Sequence, residues 1–163
     1  MIAVALALVV SMQAAQSLER AAVRSELEQV YKKWGEARIS IDKNTIENTL
    51  RPDFYVVLPD GKHSRQEFVD QVTKLREGVH VTRFDSRIIT LNKADADWTA
   101  VITEKFEADI APKNAKPFHV YSFWVTKDGW HKDADGAWRA KFSEAIGNEG
   151  WRDTKPPFGD WDR

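Results

Sequence analysis

Cysteine is absent from all 163 residues, so no thiol nucleophile exists. A domain of this length needs no disulfide to bury a core. An excess of charge of one sign is absent as well. The 24 Lys and Arg against 25 Asp and Glu leave a net charge of −1, which provides no field for nucleic acid or an anionic membrane. Histidine is sparse: His63, His80, His119 and His131 are the only four. None stands at a metal-ligand spacing such as His-Glu-x-x-His, so no metal site and no cofactor is expected. No Gly-x-Ser-x-Gly elbow and no phosphate-cradling glycine loop occurs. The longest apolar run, Ile2 to Val10, is too short to span a bilayer, which takes about 20 residues.

What that run does match is the apolar core of a secretory signal, followed by small and polar residues ending in Ala15-x-Ser17. Residues 1–17 therefore read as a signal peptide and the protein as exported, periplasmic or secreted. No Lys or Arg precedes the run, and the alternative is an apolar helix retained on the mature chain. From Ser17 onward, Val23, Leu27, Val30, Tyr31, Trp34, Ala37 and Ile41 recur at the three-and-four spacing of one helical face. Asn44 or Thr45 can cap a short second helix that Pro52 ends. Phe54 to Leu58 reads as a strand covered on both faces, closing on Pro59-Asp60-Gly61. Ser64-Arg65-Gln66-Glu67 has the capping-box pattern of a third helix, with Phe68, Val72 and Leu75 inward and Gly78 at its end. Beyond it the period turns to alternation. Val79–Leu91, Trp98–Ala108, Phe118–Thr126 and Ala137–Ala145 read as strands, with a break at Asp128-Gly129 or at Asp133 to Gly136. Asp133-Ala134-Asp135-Gly136 reads as a hairpin turn, since it lacks the glycine spacing and terminal glutamate of a calcium loop. Residues 147–163, with Trp151, Phe158 and Trp161 but no period, read as an aromatic arm packed on the domain or a neighbour. Helices followed by a run of strands specify α+β, the helices on one face of a curved antiparallel sheet.

Two strands carry candidate chemistry. Trp98, Ala100, Ile102, Glu104, Phe106 and Ala108 share one face by alternation, and Glu104 is the single acid in that row. Facing inward, it is desolvated and suited to proton transfer. Displaced to the rim by a bulge, it is paired and inert. The strand from Phe118 to Val125 is apolar on both parities, so one face lines the interior and the other is covered by a second copy or by the C-terminal arm. A homodimer through that face follows. His119 and Tyr121 point the same way, either toward a ligand or into a satisfied core or interface.

Trp34, Asp42, and Asp53-Phe54 through Val57 to Pro59-Asp60-Gly61, with Gly136-Ala137-Trp138-Arg139 opening the last strand, resemble the nuclear transport factor 2-like superfamily. Its cone-shaped fold is shared by ketosteroid isomerase, scytalone dehydratase and the SnoaL-type cyclases, and the pattern is most similar to its small branch of unknown function. The resemblance spans roughly residues 20–146, within a domain taken as residues 18–146, and implies an apolar pocket for a small apolar or aromatic ligand. Trp34, Tyr55, His119, Tyr121 and Trp138 are the candidate ligand contacts. It also marks departures. Leu58 stands where ketosteroid isomerase has its aspartate base, and Trp34 where it has an oxyanion-hole tyrosine, so that chemistry is not implied. A binding or assembly module is the first reading. The second is an isomerase, dehydratase or cyclase in which Glu104 works with His80 or His119.

Overall fold

The structure is a computed structural model that describes residues 2–74 and 78–157, with side chains from Gln13 onward. In chain order it comprises α1 (Ile2–Ser40), α2 (Lys43–Asn48), β1 (Leu50–Leu58), β2 (Gly61–Ser64), α3 (Arg65–Lys74), β3 (Val79–Ala94), β4 (Asp97–Ile110), β5 (Phe118–Lys132) and β6 (Trp138–Arg152). The α+β expectation holds: the helices lie on one face of a curved six-stranded sheet ordered β2-β1-β6-β5-β4-β3. All neighbouring pairs are antiparallel except β1 with β6, which run parallel.

The apolar stripe of α1 does what its spacing implies. Val23, Leu27, Tyr31, Trp34 and Ala37 are buried, while Lys32, Lys33 and Glu36 are exposed on the other side. Gly35 permits the approach to β3, because a Cβ there would stand 2.5 Å from the Phe84 carbonyl oxygen. Arg24 ties the same two elements, donating to the Ile88 carbonyl at 3.0 Å. The core they close on holds Leu27, Ile46, Val69 and Ile102 with essentially no exposure, each worth about 1.5–3 kcal/mol relative to an exposed position.

Several boundaries differ from the sequence reading, each for a local reason. The cap of α2 is Asp42, not Asn44 or Thr45: its carboxylate accepts from the Thr45 N–H at 3.2 Å and from the Thr45 hydroxyl at 2.6 Å. The strand β1 starts at Leu50 and carries Pro52 within it, tolerated because the β6 ladder is interrupted between Leu50 and Tyr55 and Pro52 is exposed. The capping box of α3 forms as expected, with Ser64 N–H donating to Glu67 Oε2 at 2.7 Å and Glu67 N–H to Ser64 Oγ at 3.3 Å. Phe68 and Val72 face inward, and Leu75 lies outside the described residues.

Asp128-Gly129 is no turn. The strand β5 runs through it to Lys132, and the reversal comes at Asp133 to Gly136, where Gly136 N–H donates to the Asp133 carbonyl at 2.8 Å. Gly129 is required for packing instead, since a Cβ would stand 2.2 Å from the Phe142 ring on the adjacent strand. Gly147–Arg152 is likewise not part of an aperiodic arm: it continues β6, pairing Gly147 with Val125 and Trp151 with Tyr121. Phe158 and Trp161 fall outside the described residues. Besides the interruption between β1 and β6, four bulges punctuate the β3–β4 and β5–β6 ladders, leaving Thr82 and Ile89 of β3 and Lys141 and Ile146 of β6 without ladder partners.

Candidate ligand-binding site

The concave face of the sheet and the helices enclose a cavity of about 360 Å³. Its wall follows from simple periodicities. On α1, Tyr31, Trp34 and Arg38 lie three and four residues apart and share one face. On β4, Glu104 and Phe106 point inward, and on β5 the even-numbered Val120, Ser122, Trp124, Thr126, Asp128 and Trp130 do so. Phe54, Val56 and Leu58 of β1 close one side and Phe68 of α3 another.

Three charged groups stand in this largely apolar wall. Glu104 lines the cavity, as its place on the apolar face implies, and the rim alternative is not what the structure shows. Burial first, then the Asp128 charge, push its carboxyl up to about 7 against the opposing pull of Arg38. Asp128 is buried at 6% exposure. Its Oδ2 accepts from the Tyr31 hydroxyl at 2.7 Å and its Oδ1 from the Ser143 hydroxyl at 2.8 Å. Burial raises its carboxyl, and these hydrogen bonds pull it back. Tyr31 in turn accepts from the Trp130 indole N–H at 2.8 Å, the two rings meeting edge to face at 5.2 Å. Burial and the Asp128 charge hold its phenol well above the ordinary range.

Arg38 is the third. Its guanidinium lies 4.9 Å from the Phe84 ring centroid, 5.7 Å from Trp34 and 5.8 Å from Phe68, and Trp34 and Phe68 are themselves stacked at 6.1 Å. Burial lowers it to about 10, the Glu104 charge acting in the opposite sense.

Of the ligand contacts expected from sequence, the structure brings only Trp34 to the cavity. Tyr55 alternates with the inward Phe54 and Val56, so it lies on the outer face, stacked on Phe142 at 5.8 Å. His119 and Tyr121 have the parity opposite to Val120 and Ser122 and lie outside with each other, ring centroids 4.5 Å apart. His119 Nδ1 meets Asp109 at 2.7 Å. Trp138 is buried, but under α1, where its indole donates to Glu26 Oε2 at 2.6 Å. His80 is exposed on β3. The expected pairing of Glu104 with His80 or His119 is therefore corrected: no histidine is among the described residues lining the cavity. Sequence reasoning missed Tyr31 and Asp128 as a hydrogen-bonded pair, and missed Arg38. The signal for Arg38 was its position seven residues after Tyr31 and four after Trp34. Among the described residues no group of His, Asp and Glu is arranged to hold a metal ion.

A cone of helices wrapped by a bulged sheet around one apolar cavity with a few buried polar groups defines a pocket-bearing α+β protein. The fold is that of the nuclear transport factor 2-like superfamily. A nuclear transport factor 2-like protein from Cytophaga hutchinsonii is similar with a TM-score of 0.60 at 11% identity, covering 75% of this chain and 95% of that one. A nuclear transport factor 2-like superfamily protein from Salmonella enterica gives 0.61 at 12% identity over 78% and 92%. A protein from Catenulispora acidiphila in complex with S-DNPA gives 0.59 at 15% identity over 77% and 94%. No protein-family model and no curated protein matches the sequence.

Proposed function

We propose that this protein is an exported receptor for a small, largely apolar or aromatic molecule, which it holds in the cone. The observation that carries this reading is the cavity itself. About 360 Å³ of space lies within the range of small-molecule sites, and its apolar wall with a few convergent polar groups is the composition such sites have. That a protein of this fold was obtained in complex with S-DNPA supports the reading. Purified protein soaked in a metabolite mixture, washed and analysed by mass spectrometry should retain a compound that Ser122→Trp, with an indole filling the wall, does not. Equal retention by both proteins, or by neither, refutes it.

Export rests on the Ile2–Val10 run, and the packing is compatible with its removal. Residues 13–22 of α1 are exposed, and burial begins at Val23, so cleavage near Ser17 takes no described side chain from the core. Intact mass of protein from its native cell should correspond to a chain starting near residue 18. A chain starting at Met1 or Ile2, recovered from cytosol, ends the export reading.

Proton-transfer catalysis is the second reading, favoured by one observation: the Glu104 carboxyl at about 7 inside the cavity. Its partner would be Asp128 rather than a histidine. Conversion of a retained compound, lost in Glu104→Gln while retention persists, would establish it.

A further inference from the structure

Arg38 is a cation that the cavity leaves without a hydrogen-bonded counterpart. Three ring faces, those of Trp34, Phe68 and Phe84, surround its guanidinium. Ring faces stabilise the positive charge but offer little to its five N–H donors. Among the described residues no hydrogen-bond acceptor or ion-pair partner meets it. Glu104 acts on it electrostatically without contact. The guanidinium is half-buried in a largely apolar wall with N–H donors that no acceptor among the described residues takes up, and the group that matches its planar fork is a two-oxygen anion.

Resting on the reading of the cone as a small-molecule receptor, we propose that its occupant is a small monocarboxylic acid bound as its anion, with the carboxylate on Arg38 and the apolar body against Phe54, Phe106 and Trp124. The rest of the wall argues for one charge and for carboxylate over phosphate. There is a single guanidinium, whereas Glu104 and Asp128 stand in the same wall and oppose a second negative charge. The lining is otherwise aromatic or aliphatic, which suits a hydrocarbon or phenyl body.

The test compares acids with their amides, which keep shape and remove the charge: benzoate with benzamide, phenylpropanoate with phenylpropanamide, octanoate with octanamide. Titration calorimetry on the whole chain below neutral pH should give, for at least one pair, an acid bound tenfold or more tighter than its amide, equal to about 1.4 kcal/mol. Arg38→Gln should abolish that preference and Arg38→Lys should retain part of it. The wild-type comparison stands without the variants if either fails to fold. Acid and amide bound equally by the wild type overturns the inference and leaves the receptor reading intact, since Glu104 then balances Arg38 internally. An acid preference that survives Arg38→Gln also overturns it, because the anion is held elsewhere. Failure of every acid and every amide to bind overturns this inference, and retention from the metabolite mixture by wild type against Ser122→Trp then decides the receptor reading separately.

Discussion

Replacing Glu104 by Gln tests the interior of the cone by its dependence on pH. The wild-type carboxyl titrates at about 7 rather than near 4.5, a gap of about two and a half pH units. At 1.36 kcal/mol each, this is about 3 kcal/mol. The sign follows from which state holds the proton. Below about 4.5 both folded and unfolded carboxyls are protonated, and the group contributes no difference. As pH rises from there to about 7 the unfolded chain releases its proton first, so folding stability is progressively lost, and above about 7 the loss is complete. The amide cannot titrate. Relative to wild type, Glu104→Gln should therefore gain stability with rising pH, from a baseline near pH 4 to about 3 kcal/mol more near pH 8. The groups facing Glu104 are Asp128 from β5 and Arg38 and Tyr31 from α1, with Ser86 opposite it on β3. Asp128 works in the same sense and Arg38 against it. Urea unfolding followed by tryptophan fluorescence at a series of pH values measures the difference directly. A difference that stays flat across that range means the carboxyl titrates at its ordinary value, and both the burial argument and the proton-transfer reading fall.

Tyr31→Phe removes a donor to Asp128 and the acceptor of Trp130 at one stroke. It should cost about 1–3 kcal/mol in urea unfolding, and a neutral result would show that water replaces the hydroxyl. Gly35→Ala forces a methyl against the Phe84 carbonyl and should destabilise by about 1–3 kcal/mol. An unchanged melting temperature would mean that α1 and β3 separate freely. We propose a homodimer through the outer face of β5, where Tyr121, Phe123 and Val125 are only half-buried. Light scattering should give twice the mass of one chain, and a monomer at micromolar concentration would refute it.

The fold was legible because its signals are local and mutually consistent. The α1 stripe, the capping box at Ser64 and the change of period after Gly78 each depend on near neighbours in sequence. Glu104 was legible for the same reason, as a lone acid on one parity of β4. What could not be read was which parity faces inward when both are apolar. Alternation in Phe118–Val125 separates His119 and Tyr121 from Val120 and Ser122 but does not say which pair meets the helices. Tyr55 failed because its strand reads from Phe54 onward: Arg51 and Asp53, which mark the outer parity, lie in the part of β1 around Pro52 that reads as non-strand. Asp128 was hidden by Gly129, whose turn-like signal reflects the ring of Phe142, thirteen residues along the chain and adjacent only in the folded sheet. Arg38 was hidden by its charge. A cation on a helix ordinarily belongs to the solvated side, and three aromatic rings from α1, α3 and β3 were needed to hold it inward.

The bulges carry a consequence for the size of the cavity. The central strands β4 and β5 pair residue for residue without interruption, whereas β3 and β6 on either side of them each contain two residues that pair with nothing. The flanking strands are thus longer than the strip they border, and such a sheet cannot lie flat, much as two bonded strips of unequal length must curl. This surplus of chain adds to the curvature that gives the cone its depth. Two of the surplus residues, Ile89 and Ile146, are exposed isoleucines at 49% and 58%, which bury little and whose presence is accounted for by length rather than packing. Deleting both would keep every ladder partner while relaxing the curl, and the space around Arg38 and Glu104 would shrink with it.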